Sequence, residues 1–314
     1  MSVEKRKARS LFMRLVVKKV RSMFENFSFG GDMDNFNWDD LRLNMEESDQ
    51  KRRKRSGTVT KRKEIAGVSV DVTAAVGSAN DDVIIYLHGG AFVLGIASYQ
   101  RMYAEFLAAK TCEPVIMVDY ALAPEHPYPA GIDDCFKVYK AIREQRPDKR
   151  ITLAGDSAGA GLCVSLTMRL KEMGEKLPDC LILHSPVIDL SGEIDRSIND
   201  DINDDFIIKK GTRESVDRLY VGDADPKNVE ISPYFGDYHG FPPTFITCEL
   251  HESLYADSVW LDSELEDAGV PVRTIEMDGA FHTYGTLGFL TIETARINRD
   301  IIKLIKNPEE PFGN

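Results

Sequence analysis

From about residue 64 onward, short apolar runs alternate with helix-like stretches, and no other feature restricts the possible folds so strongly. Residues 68–74 alternate polar and apolar side chains, as a half-buried strand does. Residues 83–87 are continuously apolar, which suits a strand covered on both faces, and 115–120, 151–154, 181–183, 244–248 and 272–277 have similar character. Helix-like segments fall between them at 99–110, 132–144, 158–173, 257–268 and 291–306. The alternation predicts an α/β fold with a mostly parallel central sheet and helices on both faces.

One junction in this series carries a chemical signature. Gly155-Asp156-Ser157-Ala158-Gly159 follows the apolar run 151–154 and opens a stretch rich in small residues. A serine at the tip of a sharp strand-to-helix turn needs small neighbours, because the backbone is strained and larger side chains would collide. Its hydroxyl is then held exposed beside a helix N-terminus.

Two regions depart from the rhythm. Residues 1–22 hold eight Lys or Arg against the single acid Glu4, and 51–63 hold eight more with no acid. Phe12, Val16, Val20, Met23 and Phe24 recur at helical spacing, so an amphipathic basic helix is expected. It can pack as part of a lid, touch an anionic membrane, or serve as an organellar presequence; the lid is the preferred reading. The run 51–55 is expected to be a solvated loop. Residues 190–235, rich in Asp and Asn with a helix near 212–220, are placed as an insertion over the strand ends. The expected organisation is an N-terminal helical cap segment over 1–60, then a catalytic domain over 61–314 that carries the insertion.

Composition narrows the partners. A formal net charge of -12 argues against general nucleic-acid binding, which needs a basic surface, and favours a small neutral or hydrophobic substrate. The five cysteines are scattered, with no CxxC pair, so neither a disulfide framework nor a zinc site is indicated and a reducing cytoplasm is the simplest location. No apolar run approaches the length of a membrane span. A homodimer is left open.

Upstream of the serine, His88-Gly89-Gly90-Ala91 directly follows the strand ending at Leu87. Consecutive glycines leave backbone N–H groups unshielded, so Gly89 and Gly90, together with Ala158 after the serine, are the expected oxyanion donors. Of the six histidines, His282 lies in a loop after the last strand, where it can reach over the strand ends, and is the expected base. Glu252, which follows the strand 244–248 by a few residues, is the expected orienting acid; Asp257 and Glu249 are its rivals. Phe92 beside the glycine loop is the pocket candidate. Phe206, in the apolar segment 205–208, either lines the pocket or anchors the insertion.

These stretches carry a resemblance. Tyr86-Leu87-His88-Gly89-Gly90-Ala91-Phe92, the run Asp119-Tyr120-Ala121-Leu122-Ala123-Pro124-Glu125-His126-Pro127-Tyr128-Pro129-Ala130, the elbow, Ser232-Pro233-Tyr234 and Pro242-Pro243 resemble the hormone-sensitive-lipase-like carboxylesterases. These belong to the α/β-hydrolase superfamily. The resemblance covers residues 80–290 and implies an α/β-hydrolase fold of about eight strands with a helical cap. It also implies a serine hydrolase of short or medium acyl esters that needs no cofactor or metal. Three departures stand out: Ala160 replaces a common glycine, Glu252-Ser253-Leu254 replaces the usual Asp-Pro-Leu, and Ala91 replaces a third glycine. A non-catalytic ligand receptor and a membrane-peripheral lipase are the competing expectations.

Overall fold

The computed structural model describes residues 3–25, 36–79, 81–197, 205–209 and 212–312; the parts of the expected insertion at 198–204 and 210–211 lie outside them. Among the described residues nine strands form one sheet. They are β1 (Val3–Lys7), β2 (Thr58–Ile65), β3 (Val68–Ala75), β4 (Val83–Leu87), β5 (Val115–Val118), β6 (Ile151–Asp156), β7 (Cys180–His184), β8 (Thr244–Glu249) and β9 (Val272–Asp278). Their order across the sheet is β1-β9-β8-β7-β6-β4-β5-β3-β2. Only β3 runs against its neighbours, β2 and β5; every other pair is parallel. The helices are α1 (Leu11–Glu25), α2 (Trp38–Lys51), α3 (Ser98–Thr111), α4 (Ala130–Gln145), α5 (Ala158–Glu172), α6 (Thr212–Val221), α7 (Tyr255–Asp267) and α8 (Ile292–Lys306).

The uninterrupted apolar strands are explained by the two cores they feed. Val83, Ile85 and Leu87 point into a cluster with Ile132 and Val138 of α4, Val164 and Leu166 of α5, and Leu261 of α7. Ile84 and Tyr86 point the other way, into a cluster with Phe106 and Leu107 of α3, Ile297 and Ile301 of α8, and Met13 of α1. Because successive side chains alternate faces, a strand covered on both sides must be apolar at every position. Each such Val, Leu or Ile contributes on the order of 1.5–3 kcal/mol.

The sheet is one strand wider than the expected eight, and both of its edges are strands that carry charge. β1 precedes the amphipathic helix and falls in the segment expected to be a helical cap; it is a strand instead, paired with β9, which offers it complementary charge. Lys5 pairs with Glu276 at 3.2 Å, Lys7 with Asp278 at 2.9 Å, and Glu4 with Arg273 at 3.0 Å. Edge strands that carry charge resist pairing with other chains. The helix itself is present but begins only at Leu11.

Within the run 51–55, Lys51, Arg53, Lys54 and Arg55 are exposed as expected, and only Arg52 departs from a solvated loop. Arg52 is nearly buried, bonded to Asp49 and to Glu105 at 2.9 Å, and the Arg55 N–H donates to Glu105 at 3.0 Å. Beside this pair, Arg101 of α3 bonds Asp71 at 3.0 Å and Glu46 at 2.9 Å, clamping α2 and β3 to α3. Arg42 of α2 donates to the carbonyls of Val93 and Ala123, so α2 is also tied to the loop that follows Gly90. Breaking a buried ion cluster by removing one partner strands the remaining charges. Arg101→Met is expected to lower the unfolding free energy by roughly 3–5 kcal/mol in urea titration, whereas a loss below ~1 kcal/mol would show that the cluster is effectively solvated.

Candidate active site

At the C-terminal end of β6 the chain turns sharply at Ser157, whose φ is 52° and ψ is -123°, and α5 starts at Ala158. A positive φ is costly for a residue with a side chain, so the surrounding structure must impose it. Ser157 N–H donates to the His184 carbonyl at 2.8 Å, and its own carbonyl accepts from Gly161 at 3.1 Å. The flanking glycines are steric requirements. A Cβ on Gly155 would stand 2.6 Å from the Gly159 carbonyl oxygen, and one on Gly159 would stand 2.0 Å from that of Leu87. The start of α5 therefore rests directly on the backbone of β4.

His282 follows β9 and is almost completely buried. Its Nδ1 lies 2.7 Å from Glu252 Oε2, so the ring donates Nδ1–H to the carboxylate and Nε2 is left to act as a base. Glu252 Oε1 accepts the Glu249 N–H at 3.1 Å, which fixes the carboxylate at the end of β8. Burial disfavours the charged imidazolium, but the charge and hydrogen bond of Glu252 outweigh it, and the His282 pKa is raised above its ordinary value.

The two rival acids do other work. Asp257 sits in the first turn of α7 and accepts from the Ile188 and Asp189 N–H groups at 3.0 and 3.2 Å, while pairing with Arg196. Glu249 accepts from the His251 and Gly279 N–H groups, tying the loop after β8 to the turn before His282. Burial, reinforced by the neighbouring Glu252 charge, pushes Glu249 up to about 7.

The residue inside the elbow motif that sequence reasoning passed over is Asp156. It is fully buried and accepts four donors: Tyr86 Oη at 2.7 Å, Tyr99 Oη at 2.7 Å, Gln100 Nε2 at 2.9 Å, and the Gly89 N–H at 3.0 Å. The last bond changes the expected oxyanion donors, because the Gly89 N–H already faces a carboxylate. The next two N–H groups along the loop, of Gly90 and Ala91, donate to nothing among the described residues, and neither does that of Ala158. Gly90 has a φ of 126° and Ala91 a φ of 52°, so this loop is as strained as the elbow.

The remaining histidines hold structure. His88 stacks on Tyr120 at 4.3 Å with Nδ1 on the Gly89 carbonyl, and burial lowers its pKa. His184 bridges Thr247 and Tyr103, and burial drives it down to about 4. His239 is exposed beside Asp237, His251 lies 3.6 Å from Asp278, and the His126 N–H closes a turn onto Leu122.

Phe92 and Phe206 each pack against another aromatic ring. Phe92 is buried and stacks on Tyr220 of α6 at 3.8 Å. Phe206 packs 6.5 Å from Phe281, next to His282, with the Arg21 guanidinium of α1 4.5 Å above its ring. Asp205 accepts from Ser253 N–H at 2.9 Å and Ser253 Oγ donates to the Ile208 carbonyl, so segment 205–208 is fastened beside Glu252. The inner side of α1, with Val16, Val17 and Val20, packs on the same cluster as Phe206 and Phe281.

A family model described as alpha/beta hydrolase fold matches residues 84–286. An esterase from Acinetobacter venetianus is 38% identical over 211 residues, spanning 67% of this chain and 69% of that protein. An acetyl-hydrolase from Streptomyces hygroscopicus is 33% identical over 202 residues, covering 64% and 67% of the two chains. Among solved structures, a hormone-sensitive-lipase homologue from a metagenome library superposes with a TM-score of 0.83 at 29% identity, covering 94% of this chain and 98% of that one. The chain belongs to the hormone-sensitive-lipase-like carboxylesterases of the α/β-hydrolase superfamily.

For a carboxylesterase of this family, two expectations follow from the geometry. A histidine accepts a proton only when neutral, and a raised His282 pKa means that its neutral form is gained only as the pH climbs past that higher value. The acidic limb of kcat/KM is expected at a midpoint above about 6.5, the ordinary histidine value. A midpoint at or below that value would show that Glu252 does not govern the ring. Gly159→Ala is expected to cost at least about 1–3 kcal/mol, read from the shift in denaturant midpoint, because the methyl collides with the rigid backbone of β4.

Proposed function

We propose that the protein hydrolyses short- to medium-chain acyl esters through Ser157, His282 and Glu252 by way of an acyl-enzyme. The observation that carries this reading is the 2.7 Å contact between His282 and Glu252, on a loop tied to the elbow: Thr283 N–H donates to Ser185 Oγ at 3.1 Å, next to the His184 carbonyl that accepts the Ser157 N–H. His282 Nε2 takes the Ser157 hydroxyl proton as Oγ attacks the ester carbonyl, and Glu252 stabilises the imidazolium that forms. The carbonyl oxygen becomes an oxyanion, received by the N–H groups of Ala158 and Gly90, with Ala91 next along the loop. Gly89 positions that loop through its bond to Asp156. The tetrahedral intermediate expels the alcohol, which leaves with the proton held by His282. Water then attacks the acyl-serine as His282 takes one of its protons, the carboxylic acid departs, and Ser157 regains its hydrogen.

The same reading divides the chain into a hydrolase body and a cap formed by the N-terminal segment and the insertion, with Phe92 and Phe206 bounding the acyl pocket. An acyl pocket bounded by two aromatic rings favours acids of modest length over long fatty chains. The alternative of a non-catalytic receptor is disfavoured because the base and its acid partner are both present and in contact.

A panel of p-nitrophenyl esters from acetate to palmitate tests this. Activity is expected to peak among the short and medium chains. Ser157→Ala is expected to reduce kcat by roughly 10⁴-fold or more, and Glu252→Gln by roughly 10³–10⁴-fold. Equal rates for wild type and Ser157→Ala would refute the assignment, and an optimum at palmitate would refute the pocket.

A further inference from the structure

The outer side of α1 has no counterpart in the chemistry above. Leu11, Arg14, Leu15, Lys18 and Ser22 recur at three- and four-residue spacing and form one ridge, with Phe12, Lys19 and Met23 beside it. All are exposed, Leu11 by 74% and Met23 by 62%, while Met13 on the opposite side is fully buried. Four large apolar side chains standing in water on one helix are an unusual expense for a soluble surface. Arg14, Lys18 and Lys19 stand among them with no acidic partner among the described residues.

The patch extends onto a neighbouring loop. Glu293 accepts from the Arg9 and Ser10 N–H groups and from Ser10 Oγ, which places the start of α8 against the first turn of α1. Leu290 and Ile292, both exposed, immediately precede that contact. At the same place a cleft of about 470 Å³ is lined by Arg6, Lys7, Arg9 and Arg296 with Glu4 and Glu293. Both acids are engaged, Glu4 by Arg6 and Arg273 and Glu293 by the α1 N-terminus, whereas Arg6 Nη1 is buried with no hydrogen-bond partner among the described residues. Arg6 and Lys7 are themselves paired, with Glu4 and with Asp278, so the lining cations without an acidic partner among the described residues are Arg9 and Arg296.

We propose that this face of α1, with the adjoining basic cleft, docks the protein on an anionic lipid bilayer. Leu11, Phe12, Leu15 and Met23 would enter the headgroup boundary, and Arg14, Lys18, Lys19 and the cleft would meet lipid phosphates. Charge selects this occupant. The chain has a formal net charge of -12, so an anionic surface repels most of it and admits the face where cations dominate. A second copy of the chain docked symmetrically would set the same cations against each other. Among the described residues no helix is long and apolar enough to cross a membrane, so the contact is with the surface. Because the inner side of α1 packs on Phe206 and Phe281, the docked face lies over the His282 side of the sheet.

The test is co-sedimentation of the full chain with sucrose-loaded vesicles, a readout independent of ester hydrolysis. Wild type is expected to pellet with vesicles of phosphatidylcholine containing a minority of phosphatidylglycerol and to stay in solution with phosphatidylcholine alone. Raising NaCl from about 0.1 M to about 1 M should release it, since screening shortens the Debye length to roughly 3 Å. Lys18→Ser/Lys19→Ser is expected to weaken partitioning roughly 30-fold, and Leu11→Ser/Leu15→Ser to weaken it as well, with both variants keeping the wild-type thermal midpoint. If the double apolar variant misfolds, the single Leu11→Ser variant makes the same comparison. No pelleting, equal pelleting with both vesicle types, or variants that bind like wild type would overturn the proposal. So would sedimentation velocity that shows a dimer abolished by both variants, which would assign the face to a second copy.

Discussion

The site depends first on the contact between the start of α5 and the backbone of β4. Gly159 lies so close to the Leu87 carbonyl that no side chain fits, and this approach draws the strand-to-helix turn tight enough to force Ser157 to a φ of 52°. The strain is sustained by the sheet rather than by the turn. Ser157 N–H bonds to His184 at the end of β7, and Leu87 at the end of β4 leads into the glycine loop. Ser157 and the glycine loop thus inherit their positions from the C-terminal ends of the parallel strands β6 and β4, whose register is held by two apolar cores.

Asp156 transmits that order from the elbow to the glycine loop. One carboxylate gathers two tyrosine hydroxyls, a glutamine amide and the Gly89 N–H, leaving little freedom to β4, β6 or α3 at this point. Burial, reinforced by the neighbouring Asp156 charge, raises the pKa of Tyr86 and Tyr99. On the other side of the serine, Glu252 does the equivalent for His282. The centre is therefore built around two buried carboxylates, Asp156, which holds the glycine loop, and Glu252, which orients His282.

Much of this was legible in the sequence because it rests on local pattern. Continuous apolar strands announce a sheet covered on both faces, and the small residues around Ser157 announce a sharp turn. The chain order of Ser157, Glu252 and His282 pointed to the pair that the structure brings into contact. What stayed hidden depends on partners far along the chain. β1 has no apolar alternation, and only the acids of β9 make Val3–Lys7 a strand; Arg52 reads as part of a solvated basic run until Glu105 is folded against it. The engagement of the Gly89 N–H was invisible for the same reason, since the motif shows an aspartate between glycine and serine but not where its oxygens point. The apolar residues of α1 were legible as one stripe, yet the sequence could not tell which of them face inward.

The acyl chemistry proposed above is assigned to Ser157. Reaction with an excess of an aryl phosphonate ester, followed by intact-mass and peptide mass spectrometry, addresses it directly. One phosphonyl adduct per chain is expected, located on the peptide that contains Ser157, with labelling that slows when His282 is replaced by glutamine. An unlabelled protein, or an adduct on any other residue, would contradict it.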